Sequence, residues 1–416
     1  MAHIFGGDKF SNTRDIEVGI YQTALGTVFF VLGVGLSQIF PNKQRDIKTP
    51  QRHKKRLNFP VFCLIASLLS FFLLRFLSNI PTIGAIATNG SLIWVLGVLL
   101  GLRSALRRRL PKAIGFWLIA MSVYPAIMLL QAGFLSFGST PVFVILASLV
   151  ISTRSNWRVG VALPIVAITF ISAFISYFNN RDNIREAVWW GGTFERRIEE
   201  ASKIVSDFEL FDSENDRHLS ALDQRLNQNM FAGMAANQIA DGKVSLLYGK
   251  SIWEGFLQMI PRVIWPGKPV YGGSPEIIRE MTGYEMNDST SFGVGNVMEF
   301  YINFGTSSLV IGFLLLGLLF GWLDKKSALA EREGDLSKCI IYFIPAVAMI
   351  HPNGSVVELV GNGICAYITA LGWVLLWDYL TTEGRGKNKR PKISGPAAGL
   401  RRTGRSNKVV SPPAVD

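Results

Sequence analysis

The chain has 416 residues, of which 49% are hydrophobic, 12% aromatic and only 17% charged, with a mean hydropathy of +0.30. Soluble globular domains carry roughly 25% charged residues, so these figures exclude a disordered chain, a disulfide-rich secreted domain and an ordinary soluble enzyme. They fit a polytopic membrane protein with one sizeable water-facing part, provided the formal net charge of +12 falls where such a protein puts it.

A helix needs about 20 apolar residues to cross a bilayer. In chain order, the apolar runs predict spans at 21–40, 59–79, 85–102, 114–134, 141–152, 159–178, 306–323, 339–351 and 356–377. The expected fold class is therefore all-α, a polytopic integral membrane protein with about nine transmembrane helices (eight to ten). The first run is too long for the apolar part of a signal peptide. Between the spans, residues 41–58 hold seven Lys/Arg against one Asp, 103–112 hold five and no acid, and 153–158 hold two. The tail 378–416 holds nine against three acids, while 324–338 is balanced at four of each sign. Every second loop is basic, which is the signature of cytoplasmic loops, so the N-terminus is expected outside and the C-terminus in the cytoplasm. The positive charge thus marks topology. Nucleic-acid binding would need it gathered on one folded face, and no nucleic-acid partner is expected.

Residues 179–305 break the pattern, with 12 Lys/Arg against 18 Asp/Glu. This stretch is too long for a bare connection and is expected to be one large, mostly helical external loop lying on the membrane. Four parts follow: spans over 1–178, the loop at 179–305, spans over 306–378, and a basic, disordered tail at 379–416. In the loop, Thr193 is placed to cap a helix on which Ile198, Ala201, Val205 and Phe208 share a face. Leu219, Leu222, Leu226 and Met230 repeat the same period. Trp189 and Trp190 follow a span directly and suit the interfacial aromatic belt.

Few residues have the chemistry of metal ligands. Cys63, Cys339 and Cys365 sit in or beside apolar runs with no ligand spacing and read as small buried hydrophobes. The four histidines, His3, His53, His218 and His351, are scattered. No metal site and no cofactor is expected. The stretch Ile260-Pro261-Arg262-Val263-Ile264-Trp265-Pro266-Gly267-Lys268-Pro269 is more informative. Its prolines keep the backbone extended and stiff, so Arg262 and Lys268 come from a rigid segment. A guanidinium fork plus an ammonium is what recognition of a phosphate or pyrophosphate requires. Arg75 lies within a span, where a charge either snorkels or faces a cavity.

The same stretch, preceded by Tyr248-Gly249-Lys250-Ser251-Ile252-Trp253, resembles a segment of bacterial Wzy-type polysaccharide polymerases, the O-antigen and exopolysaccharide repeat-unit polymerase group. Downstream, Asp288-Ser289-Thr290-Ser291 and Met298-Glu299-Phe300-Tyr301-Ile302-Asn303-Phe304-Gly305 resemble the stretch by which that group enters its next span. Arg225 also falls where the group places an arginine. The resemblance covers roughly residues 215–325, and nine spans is at the low end for such polymerases. It implies transfer of a glycan chain from undecaprenyl pyrophosphate to another lipid-linked repeat unit, at the outer face of the bacterial inner membrane and without a metal. The implied partners are the lipid-linked donor and acceptor, the bilayer, and a flippase and chain-length regulator of the same pathway.

On that reading the substrate-binding candidates are Arg262, Lys268, Arg225, Arg75, Trp265, Tyr301 and Asn303. Fixed cations would stabilise the leaving pyrophosphate. Glu299, His218 and His351 are the candidates for a general base, and the sequence does not choose among them. Glu358 is a further carboxylate at the last span. Two alternatives remain open. One is the related O-antigen ligase, which uses a different acceptor; the other is a transporter of polysaccharide precursor, which would be expected to carry small loops and broken spans.

Overall fold

The structure is a computed structural model, and it describes residues 13–39, 58–77, 81–133, 135–152, 156–226, 229–260, 264–268, 274–285, 293–351 and 354–382. These residues contain helices and no strand. The helices are α1 (Thr13–Ile39), α2 (Phe59–Leu77), α3 (Pro81–Ser91), α4 (Ile93–Arg107), α5 (Pro111–Ala132), α6 (Leu135–Ser152), α7 (Asn156–Trp189) and α8 (Phe194–Ser206). They continue with α9 (Asp216–Leu226), α10 (Asn229–Ala240), α11 (Lys250–Met259), α12 (Ser274–Thr282), α13 (Asn296–Glu333), α14 (Leu336–Ala348) and α15 (Val356–Thr382).

Six helical stretches are long and apolar enough to cross a membrane: Thr13–Ile39, Gly84–Arg107, Pro111–Ala132, Leu163–Trp189, Asn296–Glu333 and Val356–Thr381. The second joins α3 to α4 through Leu92. Shorter apolar helices, Phe59–Leu73, Gly138–Val150 and Leu336–Ala348, overlap the other expected spans.

Helix ends follow backbone chemistry more than polarity. The run expected to stop at 178 continues as helix to Trp189, through Asn179, Asn180, Arg181 and Asp182. Polar residues do not stop a helix. This one ends where Gly191 takes φ 80°, and Thr193 then accepts from the Arg196 N–H to cap α8. The stretch 324–338, expected as a connection, is helical to Glu333 and ends at Gly334 with φ 70°. Phe208, expected on the α8 face, lies beyond its end. There the backbone N–H groups of Glu209 and Phe211 donate to the hydroxyls of Ser176 and Ser172 on α7 instead of continuing a helix.

Two glycine-lined contacts fix the end of the molecule that carries the site. The first pairs α1 with α13, side by side and in the same direction. A Cβ on Gly33 would overlap the Leu314 carbonyl, one on Gly317 the Phe30 carbonyl, and one on Gly321 the Ser37 side chain. Such close backbone approach is how helices associate where there is no water to drive them together. Lys325 then donates to the carbonyls of Ser37 and Gln38, capping the C-terminal end of α1. The second contact binds α10 to the first turns of α1, running antiparallel. Asp15, Gly19 and Thr23 meet Asn237, Gly233 and Asn229: the Asn237 amide donates to Asp15, the Thr23 hydroxyl donates to Asn229, and the two glycines let the backbones touch. Elsewhere, α2, α4, α14 and α15 share a core around Phe62, Cys63, Leu96, Ile340 and Trp377, and Arg103 on α4 donates to both oxygens of Glu331 on α13.

The α1–α13 contact yields a direct stability test. Gly317→Leu forces the pair apart and is expected to cost about 3 kcal/mol, seen as a lower thermal midpoint in detergent. Gly35→Leu is the control, since a Cβ there meets nothing within 4 Å, and it should shift the midpoint little.

Candidate active site at the start of α13

The site is built where α13 begins. Its first turns, through Asn303, are separated from the long apolar run by a break at Phe304 (φ −142°, ψ 23°) and Gly305 (φ 70°, ψ −151°). Gly305 supplies a backbone shape that other residues reach only with strain, and the Ser308 hydroxyl closes the bend by donating to the carbonyls of Phe300 and Gly305.

This short opening segment carries Glu299 and Asn303, one helical turn apart and both buried, at 1% and 0% exposure. One oxygen of Glu299 accepts from the backbone N–H of Val356, the first residue of α15. The other accepts from the Ser251 hydroxyl on α11 at 3.3 Å. Neutral donors thus meet both oxygens, and one of them lies at the positive end of a helix dipole. The Asn303 amide donates to Ser251 Oγ at 2.8 Å and to the Glu299 carbonyl at 2.7 Å, while its Oδ1 accepts from the Gly249 N–H at 2.9 Å. The Asn303 carbonyl accepts from Tyr248 and that of Ile302 from Leu247. The stretches 248–253 and 298–305 are therefore one hydrogen-bonded unit.

The chain strains to make this join. Tyr248 has φ 47° and Gly249 φ 89°. A left-handed residue with a Cβ costs roughly 1–2 kcal/mol, and the Asn303 bonds to the amides of Tyr248 and Gly249 hold the backbone there. The Tyr248 ring is 72% exposed and packs edge-on against Phe304, 50% exposed, with centroids 6.4 Å apart.

The start of α15 has its own lock. Ser355 and Glu358 form a reciprocal capping box, the Glu358 N–H donating to the Ser355 hydroxyl and the Ser355 N–H to the Glu358 carboxylate. The adjoining His351 accepts at its carbonyl from the Asn296 side chain. Among the described residues the Oδ1 of Asn296 is buried with no partner. Burial pushes the His351 imidazole below its ordinary pKa, against an opposing pull from Glu358, so the ring is neutral at pH 7.

The other candidates separate. Tyr301 packs beside Phe300, Leu309 and Val356 on the same opening segment. His218 lies apart, on α9, with both ring nitrogens engaged. Nδ1 accepts from the Asp212 N–H at 3.1 Å, so Nε2 carries the proton and donates to Glu209 at 3.1 Å. That ties a connection to α9 and leaves neither nitrogen for a substrate. Lys268 is buried and its ammonium donates to the Ile260 carbonyl just past α11, a C-terminal cap. About 14 Å of helix separates that end of α11 from Ser251. Trp265 sits in the same turn, partly exposed. Arg262 and the stretch 288–291 lie outside the described residues. Arg225 on α9 and Arg75 on α2 are placed by their backbones alone. Among the described residues, no group of three or more His, Cys, Asp or Glu is arranged to hold a metal ion.

Sequence reasoning singled out Glu299 and Asn303. It missed Ser251, Asn296 and the Val356 N–H. The Ser355–Glu358 spacing was the available pointer, because a capping box marks a helix start that a neighbouring carboxylate can share.

The chain belongs to the family described as a domain of unknown function, DUF8712, whose model matches residues 17–366 and so takes in the whole of this site. No curated protein and no solved structure matches it.

Removing Asn303 tests the join. Asn303→Ala leaves Ser251 and the Gly249 N–H without their buried partner and is expected to cost about 3 kcal/mol. The check is thermal unfolding of the purified protein. An unchanged midpoint would mean that stretch 248–253 is held some other way.

Proposed function

We propose that this protein is a membrane glycosyltransferase that extends a lipid-linked glycan, moving the chain from its undecaprenyl pyrophosphate carrier onto the sugar of another lipid-linked repeat unit. The observation that carries the reading is the buried carboxylate of Glu299, held where stretches 248–253 and 298–305 meet. Both stretches belong to the resemblance with repeat-unit polymerases, and they lie about 50 residues apart in the chain.

In this mechanism Glu299 takes the proton of the acceptor hydroxyl. The hydroxyl oxygen attacks the anomeric carbon, the bond from that carbon to the phosphate oxygen breaks, and lipid pyrophosphate leaves with the electron pair. Arg262 stabilises the charge on the leaving group. The Ser251 hydroxyl of α11 occupies one Glu299 oxygen, so the acceptor hydroxyl takes the place of Ser251 there. Of the three base candidates, Glu299 is favoured because both nitrogens of His218 are occupied and His351 meets the site through its backbone carbonyl.

The proposed topology has nine spans, the six long helices and the three shorter apolar ones, in the inner membrane. The start of α1, the helices α8 to α12 and the start of α15 lie outside, and residues 41–58, 103–112 and 378–416 lie in the cytoplasm. That arrangement places the site at headgroup depth, where the donor's lipid tail stays in the bilayer.

Two variants test the chemistry in a strain lacking the chromosomal copy. Without the protein, single repeat units should accumulate on the lipid. Glu299→Gln at normal protein level should reproduce this, with activity lower by about 100-fold or more; full-length glycan from that variant would contradict the base role. Arg262→Lys should lose about 100- to 1000-fold, because one ammonium does not reproduce a bidentate fork. Normal chain length there would remove Arg262 from the mechanism.

A further inference from the structure

We infer that α11, on the outer side of the protein, is set into the outer leaflet beside α15, with Trp253 and Phe256 covered by acyl chains of the bilayer. This rests on α15 crossing the bilayer in the proposed topology and not on the glycan chemistry above.

Register places the helix. Ser251, at the start of α11, meets Val356, at the start of α15, through the Glu299 carboxylate that binds both. Four residues on, a Cβ at Gly255 would overlap the Val357 side chain. Four residues further on both helices, a Cβ at Gly361 would lie 3.7 Å from the Met259 methyl group. Equal steps mean that α11 descends alongside α15 in the same direction, reaching about 7.5 Å past its start.

What α11 covers identifies its surroundings. Positions 357, 361, 364, 368, 371 and 375 form one row along α15. Past Gly361 that row is open, with Ile364, Ile368, Leu371 and Leu375 all exposed. The row belongs to the apolar stretch Val356–Thr381, long enough to cross a membrane, so its open side chains meet acyl chains. α11 occupies the top of the same row. Trp253, 64% exposed, projects from the side of α11 turned away from α15, and the exposed Phe256 lies next to it. Both continue the lipid-facing surface outwards. The charges of the helix, Lys250 and Glu254, are confined to its first two turns, at headgroup depth.

The end of α11 supplies an independent observation. The last carbonyls of a helix need donors, and lipid offers none. The Ile260 carbonyl accepts from the Lys268 ammonium at 2.8 Å, and Lys268 is itself buried. Water would serve an end that stood in water; here the donor is brought back by the chain. Ile264 and Trp265, in the turn that returns it, are apolar and exposed. One short helix thus meets acyl chains on one side and, through Ser251, the buried Glu299 on the other.

The test needs no variant. Full-length wild-type protein is placed in nanodiscs of phosphatidylcholine carrying a photoreactive diazirine on one acyl chain, and the adducts are located by mass spectrometry after illumination. Label is expected on Trp253 or Phe256 as well as on the stretch 364–371. None is expected on the stretch 241–243, which carries the exposed ion pair of Asp241 and Lys243. Label on 364–371 with none on Trp253 or Phe256 overturns the inference, whether water or a second copy of the chain covers α11. Label on 241–243 equal to that on Trp253 overturns it too, since the probe would then mark any exposed surface. Absence of label from 364–371 removes the span on which it stands. The polymerase reading fails separately: a strain lacking the protein that still makes glycan of normal length would contradict it and leave the labelling of α11 unchanged.

Discussion

The side chain of Asn303 is the constraint on which the site depends. It is wholly buried, and its one amide reaches three places: the turn at Gly249, the hydroxyl of Ser251, and the carbonyl of Glu299 a turn earlier. A buried polar group is tolerable only when its bonds are made. Once they are made, the loop segment cannot move away from α13 without stranding several donors together. The strained turn at Tyr248 and the position of α11 follow from that one residue, while the Glu299 carboxylate is oriented by Ser251 and the Val356 N–H.

The same logic, with glycine in place of asparagine, secures the unit to the bundle. α1 acts as the common support. Gly33 receives α13 against its backbone, and Gly19 receives α10. A loop of more than a hundred residues is thereby fixed at one end of the helices by two backbone contacts and a short polar ladder. Fixing it there keeps the Glu299 carboxylate next to the start of the long apolar run of α13. The glycines are specific in this. Gly35, in the same helix, faces open space and contributes nothing to the contact.

Much of this was legible in the sequence, for identifiable reasons. Apolar run length located the helices, because the signal is local and strong. Thr193 announced the start of α8, and Glu299 and Asn303 stood out in a patterned stretch entering an apolar run. What was not legible is what depends on partners distant in the chain. Nothing around Ser251 says that its hydroxyl meets residue 299, and nothing around Tyr248 says that its φ is positive, since tyrosine is not a residue chosen for that shape. The helix α7 runs on past the apolar stretch 159–178 because polar residues do not stop a helix, and Gly191 does. His218 carried equal weight with Glu299 until its two nitrogens were accounted for. The cations of the loop remain legible as sequence alone, with Arg262 outside the described residues and Lys268 engaged as a cap.

The central claim is that this membrane protein joins lipid-linked sugars, and reconstitution measures that most directly. Purified protein in liposomes, supplied only with undecaprenyl-pyrophosphate-linked repeat units and a chelator, should convert them to a ladder of longer glycans and release lipid pyrophosphate. Repeat units that stay single, with the protein folded and the donor intact, would contradict it.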